Sequence, residues 1–208
     1  VRRRFKKCRS ENLRIIRRFQ QAFNLHCVHQ GEYSDGVVAI RRLEASDLER
    51  DLEAKDDAQI DWLWNAGDRE LWEAKTVNQQ RLHALNHLEA ARDTFGDGPK
   101  WAFAVDAEGE NYVAYVDCDL ANNHVPHGQA NIAYSAHPQF RGKGYVSRAV
   151  RQVLLFLKEN TDATEAHINV DTENIASLRV ALAVGAVDSG SWINEQGRLM
   201  TRFIIEVR

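Results

Sequence analysis

The chain has 208 residues, enough for one sizeable core, and its 44% hydrophobic and 27% charged content is that of an ordinary soluble domain. No apolar run approaches the roughly 20 residues that cross a bilayer, and the basic start Arg2 to Lys7 leads into more charge instead of an apolar signal segment. The first 18 residues hold nine Lys or Arg and one acid, net +8, so within a total of −3 the rest of the chain carries −11; an acidic body argues against binding DNA.

Residues 1–30 therefore read as a basic arm, disordered or helical, which is either a solvated tail or a segment that contacts RNA. Three cysteines, Cys8, Cys27 and Cys118, are few and lack metal-type spacing, which points to the cytoplasm and no membrane. Val37 to Leu43 is a short strand ended by the helix-start signal Ser46-Asp47. Leu48 to Trp64 is helical but interrupted at Asp56-Asp57, and Trp62, Trp64 and Trp72 are read as core or pocket wall. Val77 to Phe95 repeats Leu82, Leu85, Leu88 and Ala91 at helical spacing and stops at Gly96-Asp97-Gly98-Pro99.

Trp101 to Val105 and Tyr112 to Val116 form a hairpin about the turn at Gly109. After a loop over Asn122 to Gly128, Ala130 to Ala136 is the next strand. Val146, Ala149, Val150, Val153, Leu154 and Leu157 mark the clearest amphipathic helix, Tyr145 to Leu157. A strand at His167 to Val170, a helix at Ile175 to Val184 closed by Gly185, and strands at Ser191 to Asn194 and Met200 to Val207 complete the order. This order predicts an α/β chain whose sheet is largely antiparallel but holds one parallel pair joined by the amphipathic helix.

Between that strand and that helix lies Arg141-Gly142-Lys143-Gly144-Tyr145-Val146-Ser147. A strand that passes through glycines straight into a helix leaves unpaired N–H groups where the helix dipole favours an anion. Gly142 and Gly144 let a phosphate reach the backbone, and Lys143 adds charge. The spacing fits neither a Walker loop nor the dinucleotide fingerprint. Downstream, Asn174-Ile175-Ala176-Ser177 opens the next helix.

These two segments at this separation resemble the GNAT acetyltransferases, in the branch of the ribosomal-protein N-terminal acetyltransferases RimJ and RimL. The loop matches the family pattern except that Val146 replaces a small residue, and the resemblance covers about Val37 to Val207, within a domain drawn as 37–208. It implies a mixed sheet of about six to seven strands, flanked by about four helices, in which two parallel strands splay apart to admit the pantetheine arm of acetyl-CoA. By that match the strands are Ala130 to Ala136 and His167 to Val170; amides of Tyr134, Ser135 and Ala136 would bond pantetheine and polarise the thioester carbonyl, and Asn174 would hold a pantetheine amide. Arg141 to Ser147 would bind the diphosphate, and Ser177 would sit near the sulfur.

The implied reaction is acetyl-CoA-dependent N-acetylation of a primary amine, a protein N-terminal α-amine in the RimJ and RimL manner, with small amines and antibiotics as the alternative acceptors. A module that only senses acetyl-CoA is the competing reading, because Asn131 stands where many relatives carry a catalytic Glu. Replacement bases are Asp117, Asp119 and His137, each with a plainer reading as a solvated strand end or a turn residue. His124 and His127 form only half of a metal site, so no metal is expected. A homodimer is an open expectation.

Overall fold

Seven strands form one mixed sheet: β1 Val38–Arg42, β2 Lys100–Ala107, β3 Glu110–Asp119, β4 Ala130–Ala136, β5 Glu165–Asp171, β6 Val187–Ile193 and β7 Leu199–Glu206. They lie in the order β1-β2-β3-β4-β5-β7-β6. This computed structural model describes residues 33–65 and 67–207; the expected arm over 1–30 lies outside the described residues. Every neighbouring pair is antiparallel except β4 and β5. Parallel neighbours need a long crossover, and the helix between them provides it.

Six α-helices accompany the sheet among the described residues: α1 Leu48–Glu53, α2 Asp57–Leu63, α3 Asp68–Glu73, α4 Val77–Thr94, α5 Tyr145–Asn160 and α6 Ile175–Ala183. The apolar stripe of α5 buries Val146, Ala149, Val150, Val153, Phe156 and Leu157 against β1, β3 and β4. Phe156 is its anchor: the ring meets Phe103 at 5.1 Å and Trp101 at 5.4 Å, both edge-on. Such contacts add to the area term, and truncating a ring of this kind costs about 3–5 kcal/mol. Cys118 is fully buried in β3, as its strand context suggested.

The opposite sheet face is covered more thinly. Leu43, Ala54, Leu88, Ala102, Ala104 and Tyr112 pack there beneath α1 and α4. The break at Asp56-Asp57 is real, since the Asp56 side chain accepts from Gln59 N and caps α2. A 3-10 turn, Ala45–Asp47, opened by a reciprocal cap between Glu44 and Asp47, precedes α1, whose N-cap is Asp47, at the expected Ser46-Asp47 signal but without a side-chain cap bond. α3 was not anticipated. The three tryptophans are not core: Trp62 is 38% exposed, and Trp64 and Trp72 are half-buried, packing edge-on at 5.5 Å. Among the described residues no helix is long and apolar enough to cross a membrane.

Candidate active site

The parallel pairing of β4 with β5 covers only Ala130 with Ala166 and Asn131 with His167. Beyond that point both strands continue, to Ala136 and Asp171, without pairing to each other. Two loop hydrogen bonds fix which backbone groups face the resulting gap. His137 N donates to Val113 O, and because bonded and non-bonded pairs alternate along an antiparallel ladder, odd-numbered β4 residues turn their backbone to β3. Those of Tyr134 and Ala136 therefore face the gap. Thr172 N donates to Leu199 O, and the same alternation turns the backbone of Asn169 and Asp171 toward β4.

Of the three amides expected for pantetheine, the gap thus receives those of Tyr134 and Ala136, while Ser135 directs its N–H to β3. The correction follows from strand phase, which a sequence does not reveal. A gap edged by unpaired strand donors and acceptors is a ready template for an extended amide-bearing chain.

The loop at the open end of β4 has the features of an anion cradle. Gly142 and Gly144 have φ of 77° and 78°, left-handed backbone that favours glycine, and a Cβ on either would meet nothing within 4 Å. Gly144 caps α5 without a side-chain bond. The first helical bond runs from Arg148 N to Gly144 O at 3.3 Å, so the N–H groups of Tyr145, Val146 and Ser147 make no hydrogen bond among the described residues. Val146 and Tyr145 are buried: the larger side chain that departs from the family pattern points into the core, away from the space before the loop.

Charge around this loop is distributed unevenly. Arg141 forms a two-pronged pair with Asp56, 2.7 Å on each side, and that guanidinium holds the Asp56 carboxyl below its ordinary range. Lys143 is left over the rings of Phe140 and Tyr145, at 5.1 and 5.7 Å.

On the α5 and α6 side of the gap, Asn174 accepts from Ser177 N at 3.0 Å and caps α6. The Ser177 hydroxyl meets Tyr134 OH at 2.9 Å. Burial pushes the Tyr134 phenol up to about 12. A linked pair of hydroxyls therefore stands over the gap, a candidate proton donor to a thiolate as it leaves.

The other face presents the side chains of Asn131, Ala133 and Ser135 from β4, with Asp119, Asp117 and Tyr115 opposite them on β3. Asp117 is buried and accepts from Tyr115 OH at 2.8 Å, with Lys100 Nζ 3.3 Å away. Burial raises its pKa, and Lys100 opposes the shift. Asp119 is engaged locally, accepting from Ala121 N. His137 is 2% exposed and held at both ring nitrogens, 3.3 Å from Glu53 and accepting from Gln139 N. The three candidate bases are thus dispersed, and Asp117 alone faces the interior of this side.

Residues the sequence reading passed over complete the site. Asn169 Nδ2 donates to Asn131 Oδ1 at 3.2 Å across the apex of the gap, and Arg202 from β7 bonds both Asn169 and the His124 carbonyl. Arg198 joins Asp61 O to Asp171. The helix α2 is therefore tied to the β4 side through Asp56 and to the β5 side through Arg198, and it walls the open end. Polar residues at alternate strand positions were the available signal; their strand pairing was not.

A family model described as Acetyltransferase (GNAT) domain matches residues 38–187. No curated protein matches the sequence. Among solved structures the chain is similar to RimL, a ribosomal L7/L12 alpha-N-protein acetyltransferase in complex with coenzyme A (14% identity, 84% of this chain and 96% of that one, TM-score 0.67). It is also similar to the Salmonella typhimurium acetyl transferase that modifies the N-terminal serine of ribosomal protein L7/L12 (14%, 85% and 98%, TM-score 0.64). A third is a spermidine N-acetyltransferase chimera from Vibrio cholerae and hSSAT (19%, 82% and 95%, TM-score 0.57). At these identities the likeness is one of fold. The family model, which spans well over half of the residues and includes both the loop and the splayed strands, carries the assignment: the chain belongs to the GNAT acetyltransferase family.

Proposed function

We propose that this protein transfers the acetyl group of acetyl-CoA to a primary amine, the α-amine of a protein N-terminus, in the cytoplasm. The observation that carries the reading is the gap between β4 and β5, which opens toward the uncapped start of α5. One extended molecule with a diphosphate at one end and amides along its length satisfies both. Arg141 to Ser147 would hold the diphosphate through backbone donors. Tyr134 and Ala136 would hold the pantetheine and draw charge from the thioester carbonyl, while Ser177 and Tyr134 would return a proton to the sulfur.

The acceptor must arrive neutral. An α-amine, with an ordinary pKa of about 8, loses its proton more readily than a lysine at about 10.4. The body's charge of −11 outside the arm favours a basic protein partner, and a structural relative modifies an N-terminal serine. Asp117 lies on the acceptor face but on β3, one strand removed from the gap.

The test is thiol release from acetyl-CoA with serine-initiated peptides, spermidine and an aminoglycoside side by side. A tenfold or greater preference in kcat/KM for a peptide supports the proposal. Preference for a small amine redirects the acceptor. Coenzyme A binding with no turnover on any amine leaves the sensor reading, which Asn131 in place of a carboxylate favours.

A further inference from the structure

His167 is the last residue of β5 paired to β4, where its register partner is Asn131. Its side chain lies on the acceptor face, with Asn131 and Asn169, at the apex of the gap. The residue is 1% exposed, yet neither ring nitrogen has a hydrogen-bond partner. Glu165 Oε2 stands 3.5 Å from Nε2, a contact that is ionic only when the ring is protonated, and the Glu165 side chain is 44% exposed. Buried imidazoles are normally bonded, so an orphaned one at such a place calls for an explanation.

We infer that His167 accepts the proton of the incoming amine at the apex of the gap, and that Glu165 conducts it to solvent. This rests on the acetyl-transfer reading above. Neighbouring strands are about 4.8 Å apart, which sets the imidazole one strand from Asn131 and on the rim of the gap, whereas Asp117 stands on β3, on the far side of β4 from it. The groups facing the ring are Glu165 on its own strand and Arg202 on β7, with Glu206 opposite Glu165 and the neutral Asn131 on β4. Burial first, and then Arg202, lower the basicity of the ring, while Glu165 opposes them; the ring rests neutral, with a lone pair free.

The step balances simply. The ammonium gives one proton to the imidazole, and the freed nitrogen lone pair forms the C–N bond to the thioester carbon. As the C–S bond breaks, its electrons leave on sulfur. The second proton lost by nitrogen matches the one sulfur gains through Ser177 and Tyr134, and the first leaves His167 by way of Glu165, so each turnover releases one proton.

The experiment uses the full chain and three readouts. Calorimetry with coenzyme A comes first: His167→Gln binds as the wild type does, whereas failure of the wild type to bind overturns the acetyl-transfer reading itself. Thiol release is then followed across pH with the amine panel and with water as acceptor. The wild-type rate falls in acid with an inflection below the ordinary imidazole value. His167→Gln is slower by about 10²-fold or more and has lost that inflection, while Asp117→Asn keeps it. Last, imidazole carbon and nitrogen resonances of the wild type are recorded with acetyl-CoA, and the His167 signal moves. A His167→Gln rate within a few fold of wild type, loss of the inflection in Asp117→Asn instead, or a His167 resonance unmoved in the loaded protein would each overturn the assignment. The resonance test needs neither a folded variant nor a known acceptor.

Discussion

Replacing Gly144 by Asp places a carboxylate at the mouth of the anion cradle. At a separation of roughly 6 Å, and for an effective dielectric between 20 and 80, each phosphate charge is repelled by about 0.7–2.8 kcal/mol. Counting the nearer charge alone, coenzyme A should therefore bind at least about 3-fold to 100-fold more weakly, by calorimetry. The left-handed backbone at φ 78° adds a separate conformational cost of about 1–2 kcal/mol, which acts on folding and lowers Tm by about 2–8 °C. Two controls separate the effects. Gly144→Ala has the strain without the charge. Gly128→Asp has φ 80° and equally open space, but lies a whole strand away, about 23 Å along the seven residues of β4. Wild-type coenzyme A binding by Gly144→Asp, or an equal loss in Gly128→Asp, would refute the cradle.

Ser177→Ala and Tyr134→Phe should each lower kcat for acetyl transfer by about 10-fold to 100-fold with little change in KM for acetyl-CoA. Because the two hydroxyls share one hydrogen bond, the double variant should be no worse than the poorer single one, which steady-state kinetics will show. Asp56→Asn keeps the cap of α2 but breaks the pair with Arg141. Arg141 depresses the Asp56 pKa, so the pair's stabilisation is present above the ordinary carboxylate value and is lost as pH falls through the lowered one. Thermal melts should show the variant weaker by about 0.2–1 kcal/mol at pH 7 and level with wild type in strong acid. Deleting residues 1–27 should leave coenzyme A affinity unchanged in calorimetry; a loss would redraw the domain boundary.

The helical stripe of α5 and the cluster from Arg141 to Ser147 were legible because both are local: one is a period of 3.6, the other a few adjacent residues that need glycine. The parallel pair was legible because a helix separates its strands. Strand phase was not. Whether Ser135 or Ala136 faces the gap depends on where the β3 ladder begins, and a shift of one residue reverses every backbone group. His167 was passed over for a related reason: in sequence it stands 36 positions from Asn131, and only the register between β4 and β5 makes them neighbours. Trp62 and Trp64, read as core or pocket wall, are not core because aromatic bulk predicts burial only where a second layer exists to cover it. The pairing of Arg141 with Asp56 was not legible either, because the two stand 85 positions apart in the chain.

That engagement of Arg141 determines what kind of attraction the cradle exerts. With its guanidinium neutralised by Asp56, the cradle holds, among the described residues, one formal cation outside any ion pair, Lys143, and otherwise grips with neutral amide dipoles. Mobile ions weaken contacts between full charges far more than short bonds from fixed N–H groups, and the acidic body repels a polyanion at long range. Affinity for coenzyme A should accordingly stay level, or tighten, as ionic strength rises, which sets this site apart from one built on basic side chains.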